Sequence, residues 1–153
     1  MAAFMWNANP EKWNVVPSCT NSWEALRNYV IDHSNYVYWS TPVNQKAIKV
    51  GDRAFIWRTT SPKGPSGIIA VGQVAEGPRQ LSATTTALFK FRERIEAAGW
   101  DESKAPSLWK TGIRIDRVFW NTPLQVSFTA SQGTLRRLAD GEVREVESQV
   151  LVR

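Results

Sequence analysis

The stretch Val50-Gly51-Asp52-Arg53-Ala54-Phe55-Ile56-Trp57-Arg58, followed by Gly67-Ile68-Ile69-Ala70-Val71-Gly72-Gln73-Val74, decides the fold. Lys49–Asp52 reads as a turn, because Gly-Asp before an apolar run breaks regular structure and then releases it. Arg53–Thr59 alternates, with Phe55 and Trp57 on one face, as a half-buried strand does. Ile68–Val74 is a nearly continuous apolar strand. Between them Ser61–Gly67 (SPKGPSG) is loop by composition, so the two strands form a long hairpin.

Outward from this hairpin the pattern stays mixed. Ala3–Trp6 is a short strand closed by Asn7-Ala8-Asn9-Pro10. Asn21 with Glu24 resembles a capping box, and Trp23, Leu26 and Val30 follow at helical spacing, which predicts a helix over 22–32. Tyr36–Ser40 is an aromatic-rich strand. Leu88, Phe91 and Ile95 make an amphipathic helix over 86–98 that ends at Gly99 and carries Lys90, Arg92 and Arg94 on its other side. Arg114–Trp120 is a further strand, and Gln132-Gly133-Thr134 is a turn. Asp140 is placed to cap a last helix that buries Val143, Val146 and Val150. Strands and helices do not alternate regularly, so the expected class is α+β: a single domain over 1–153 built as a curved sheet or small barrel flanked by helices.

Composition bounds the function. The chain has 153 residues and a net charge of +5, which favours an anionic partner, with nucleic acid first among them. Eight tryptophans exceed what a core of this size needs, so one or two are expected to line a pocket. Cys19 is the single cysteine and His33 the single histidine, which excludes an internal disulfide, a thiolate zinc site and a multi-histidine metal site. Neither is accompanied by an orienting group, and His33 reads as a helix C-terminal residue favoured by the helix dipole. No phosphate-binding glycine motif occurs, and the carboxylates are scattered. The sequence therefore gives no cofactor site and no catalytic residue. No apolar run is long enough to span a bilayer, and Met1–Trp6 is too short for a signal peptide, so a cytoplasmic location is expected.

Several segments in order resemble one family. Phe4–Pro10 followed by Trp13 resembles the opening of EVE domains. Val50–Arg58 resembles their most recognisable stretch, Gly67–Val74 the strand after it, and Gln132-Gly133-Thr134 with Leu138 their C-terminal turn and helix. The resemblance covers most of the chain and is poorest over 81–110. It implies a PUA-like mixed β-barrel flanked by helices, related to YTH, SRA and ASCH domains. It also implies a nucleic-acid-binding module that recognises a modified base, methylated or hydroxymethylated cytosine in DNA, by flipping it into an aromatic cage. Val37-Tyr38-Trp39-Ser40-Thr41 looks like the strand that supplies one cage wall in YTH domains.

The chemistry of a flipped base fits such a site. Its two π faces stack on indoles, and its polar edge needs a small hydrogen-bonding group. Asn7, Asn9, Trp39, Ser40, Trp57 and Trp120 are the candidates to hold the base. Arg58, Lys63, Arg114 and Arg117 are the candidates to hold flanking phosphates. The pocket is expected where the Asn7–Pro10 turn, the Trp39–Thr41 segment and the Trp57–Arg58 strand end meet. A restriction or nucleic-acid-processing enzyme is a partner the resemblance suggests. Two other readings stay open: a reader of modified RNA, and an ASCH-like amidohydrolase acting on modified nucleosides. The second needs a Lys, a Thr and a Glu to converge, and Lys49 by the Gly-Asp turn has no evident Glu partner.

Overall fold

The computed structural model describes residues 1–8, 36–41, 44, 46–58, 66–80, 109–119, 122–129 and 135–153. Its described elements are six strands and one helix: β1 (Ala3–Ala8), β2 (Tyr36–Ser40), β3 (Arg53–Arg58), β4 (Gly67–Gln80), β5 (Trp109–Val118), β6 (Leu135–Arg137) and α1 (Asp140–Val152). The strands form one mixed sheet in the order β2-β5-β4-β3-β1-β6. The expected hairpin is its centre: β3 and β4 pair antiparallel, Phe55 opposite Val71 and Ile56 opposite Ala70. The turn before β3 is also as read. Gly51 adopts φ +93°, where a side chain would be strained, and the Asp52 carboxylate accepts the backbone N–H groups of Lys49 and Ala2. That second bond ties the start of β1 to the start of β3, and the two strands run parallel from Ala3/Arg53 to Ala8/Arg58.

Each strand of the sequence reading is present, β2 with the limits expected and the others with different ones. β1 runs on to Ala8, and β3 is described over Arg53–Arg58, with Thr59 outside the described residues. β4 continues six residues past Val74, through Glu76-Gly77-Pro78, because β5 still pairs with it there, although its pairing with β3 ends at Gln73. A proline there removes no ladder bond on the β3 side. β5 begins at Trp109 rather than Arg114, since its first half pairs with this far end of β4 and with β2 on its other side. Neither partner is visible in local sequence. β6 was not expected at all: three residues suffice because β1 supplies the ladder, Met5 opposite Arg136.

Burial also departs from simple alternation. Ala54, Phe55, Ile56, Trp57 and Arg58 are all buried, because β3 lies inside the sheet with both of its faces covered. On one face Ala3, Met5, Phe55, Trp57, Ile68, Val71, Phe119, Leu124 and Leu138 pack with Val146 of α1. Val143 and Val150 pack beside Val146, as their helical spacing predicts. Helix α1 begins at Asp140 with Ala139 as its cap residue. Asp140 is therefore inside the helix rather than its cap, and the Ala139 N–H is taken by the Glu142 carboxylate. Arg53 of β3 fastens α1 to this face through Glu147 at 2.8 Å and is itself paired with Asp116 of β5 at 3.2 Å.

The opposite face carries Phe4, Trp6, Ala54, Ile56 and Ala70, given the alternation of the strands. This face is concave. β1 and β2 are four steps apart in the sheet, about 19 Å if it were flat, yet the Trp6 indole N–H donates to the Thr41 hydroxyl just beyond β2 at 3.4 Å. The sheet therefore curls most of the way round. Among the described residues no ladder joins β2 to β6, so the curl is that of a partly open mixed barrel. The expected helices over 22–32 and 86–98, the loop 61–65 and the turn 132–134 lie outside the described residues.

Candidate nucleic-acid interface

Four of the expected base-contacting residues are in described strands. Asn7 and Trp57 are register partners on β1 and β3. Asn7 is half-buried, while Trp57 is 7% exposed and belongs to the apolar cluster under α1. Trp39 lies on β2 opposite Thr111 of β5. Cross-strand partners share a face, and Thr111 bonds to Thr41, which bonds to Trp6, so Trp39 belongs to the concave face. Asn7 with Trp57 and Trp39 with Trp6 thus occupy opposite sides of one sheet. Ser40 pairs through its backbone with Lys110. Asn9 and Trp120 lie outside the described residues.

The expected cations separate as well. Arg58 ends β3 between Ala8 of β1 and Gly67 of β4. Alternation puts it on the concave face, opposite to Trp57. It is 6% exposed, and burial lowers its pKa from the ordinary value; a guanidinium still keeps its charge. Arg114 is exposed on β5, beside Tyr36 and Gln73 in the ladder. Arg117 is exposed too, but it donates to the Val150 carbonyl at 2.8 Å and lies over the Phe119 ring. Arg117 therefore closes the C-terminal end of α1. Lys63 lies outside the described residues.

Sequence reasoning passed over the polar residues of the concave face. Thr41 and Thr111 have no exposed surface, while Lys110, the neighbour of Thr111 on β5, is 2% exposed and alternates to the other face. The Thr41 and Thr111 hydroxyl oxygens are 2.5 Å apart, and the Thr41 hydroxyl also reaches the Trp39 carbonyl at 3.1 Å. The Thr41 backbone N–H donates to the Trp109 carbonyl. Thr41 follows the Trp39-Ser40 pair directly, a signal that was available. Thr111 and Lys110 precede the part of β5 that local pattern reveals, and no signal marked them. The concave face thus carries a buried cation, Arg58, and the rings of Phe4, Trp6 and Trp39, groups of the kind that hold nucleotides. Among the described residues, no group of three or more His, Cys, Asp or Glu side chains is placed to hold a metal ion.

No family model and no curated protein matches the sequence itself. Solved structures do match. The human THYN1 protein, in complex with DNA containing 5-methylcytosine, is similar at 16% identity with a TM-score of 0.57, over 97% of this chain and 96% of that one. A hypothetical protein from Leishmania major gives 15% identity and a TM-score of 0.55, over 100% of this chain and 98% of that one. A protein from Pseudomonas putida gives 12% and 0.54, over 97% and 99%. At these identities the shared property is the fold, and it extends over nearly the whole chain in each case. The chain has the fold of these structures, a mixed curled sheet with a C-terminal helix, in agreement with the fold expected from the EVE-domain resemblance.

Proposed function

We propose that this protein is a nucleic-acid-binding module that recognises a modified base, with 5-methylcytosine or 5-hydroxymethylcytosine in DNA as the favoured target. The observation that carries the reading is the end-to-end likeness in fold to a protein bound to DNA containing 5-methylcytosine. The net charge of +5 agrees with an anionic ligand. The base is flipped out of the stack and held against Trp39 on the concave face. Arg58, on the same face, is the cation nearest in kind to a partner for the polar edge or an adjoining phosphate. Asn9 remains a candidate for the edge, and Trp120 for a second wall. Asn7 and Trp57 belong to the other face, so their role is to support the strand ends that carry Ala8 and Arg58.

The protein acts by binding rather than by turnover, in a cytoplasmic setting, with a restriction or nucleic-acid-processing enzyme as the partner that uses the recognition. A methyl group contributes under about 1 kcal/mol by burial alone. Discrimination therefore comes from a close-fitting cage or from a polar group left unpaired by the wrong base. The test is a titration with matched oligonucleotides: duplex DNA, single-stranded DNA and RNA, each with cytosine, 5-methylcytosine or 5-hydroxymethylcytosine. Tighter binding to a modified DNA is expected. Equal affinity for modified and unmodified strands sinks base recognition, and preference for the RNA set moves the reading to modified RNA.

A further inference from the structure

We propose that Thr41 is a positioning residue for base recognition: its hydroxyl, clasped between Trp6 and Thr111, holds the Trp39 backbone and so sets the indole against which the base packs. The inference rests on the reading of Trp39 as the base-contacting residue. It deepens that reading, because Thr41 does not itself touch the ligand.

The hydrogen bonds of this group are fixed by donor and acceptor type. The Trp6 indole N–H can only donate and the Trp39 carbonyl can only accept. Thr41 therefore accepts from Trp6 at 3.4 Å and donates to Trp39 at 3.1 Å. The proton shared with Thr111 then comes from Thr111, at 2.5 Å between oxygens. One oxygen uses its proton and both lone pairs. All this happens where Trp6, Thr41 and Thr111 have no exposed surface. A buried polar group that loses its partner carries its full desolvation penalty, so the arrangement has one low-energy form.

The consequence is directional. The Trp39 carbonyl is held from the Thr41 side chain, while the Thr41 N–H is held by the Trp109 carbonyl across the ladder. Thr41 is thus tied to β1 through Trp6 and to β5 through Thr111 and the Trp109 carbonyl, while Trp39 is tied to Thr41 and pairs with Thr111, so the backbone from which the Trp39 side chain leaves is held on both sides. The same oxygen closes the curl between β1 and β2. Thr41 thereby couples the shape of the concave face to the orientation of the indole in it.

Thr41→Val keeps the shape and removes the hydroxyl, and Thr41→Ser keeps the hydroxyl and removes a methyl. The readout is the ratio of affinities for a 5-methylcytosine duplex and its unmodified match, measured on folded protein. Thr41→Val should lower that ratio by roughly tenfold, the size of one lost buried hydrogen-bond partner, and Thr41→Ser should restore it. Trp6→Phe, which removes only the indole N–H and part of the ring, should lower the ratio in the same direction and carries the test if Thr41→Val does not fold. A ratio unchanged in these variants, while wild type discriminates, overturns the positioning role and leaves Trp39 as base contact. A wild type that does not discriminate overturns the base-reading function and this proposal with it.

Discussion

The Trp6 indole N–H lies 3.4 Å from the Thr41 hydroxyl, although their strands stand four steps apart in the sheet. Sheet twist of roughly 20–25° per strand accumulates over those steps, and the local irregularities of β4 add to it. The β4–β5 register shifts at Val71/Gly72, Val74/Glu76 and Glu76/Arg79, and such irregularities bend a strand and increase its twist. The bond between Trp6 and Thr41 is therefore the outcome of curvature built elsewhere, and it locks that curvature in place.

At Gly72 the β5 backbone comes too close to β4 to leave room for a side chain. A Cβ at this position would sit 2.0 Å from the Arg114 carbonyl oxygen, which is backbone and cannot swing aside. Gly72→Ala is expected to lower stability by ~1–3 kcal/mol or more, as forced overpacking does. Urea denaturation checks this. A variant as stable as wild type would mean that the two strands separate more easily than their packing implies.

Trp39→Ala should lower affinity for a modified oligonucleotide by ~1–3 kcal/mol, the usual worth of one base–aromatic stack. Because Trp39 is only 8% exposed, the same change also lowers the melting temperature, as truncation of a buried aromatic does. The two effects are separated by titrating at a temperature where circular dichroism shows the variant fully folded. Unchanged affinity under that condition would remove Trp39 from the base site.

Arg114→Ala should weaken modified and unmodified strands alike and reduce the slope of log K against log salt by about 1, because an exposed phosphate contact carries no base information. Arg58→Ala differs. Arg58 is buried at the end of β3, so its loss is expected to cost stability as well as binding, and Arg114 is the cleaner probe of the phosphate contacts. For the wild type, three or four phosphate contacts give a salt slope of about −3. An affinity independent of salt would count against nucleic acid as the ligand.

Val146→Ala should cost about 2 kcal/mol, since Val146 has no exposed surface and anchors α1 in the apolar cluster with Phe55 and Trp57. Glu147→Gln should cost under ~1 kcal/mol, because its bond to Arg53 is partly exposed on both sides. Thermal melts of the two variants rank these contributions. A larger loss for Glu147→Gln would mean that the ion pair, and not the valine face, seats the helix.

The sequence by itself determined the elements whose signals are local. The Gly-Asp turn, the alternating and apolar runs of β3 and β4, and the valines of α1 spaced at three and four residues all follow from backbone preference and periodicity within a dozen positions. So did the ordered motifs that resemble the EVE domain, and with them the fold class. Only tertiary structure decided what depends on residues distant in the chain. The parallel pairing of β1 with β3, the three-residue β6, and the full lengths of β4 and β5 exist because a partner strand supplies the ladder. The sides of the sheet taken by Trp6, Trp39 and Trp57 were decided in the same way. Trp39 and Trp57 look alike in sequence, each an indole in a strand, but a side chain's face is set by the register of its strand against its neighbours. That register puts Trp57 under α1 and Trp39 in the concave face with Trp6, Thr41 and Thr111.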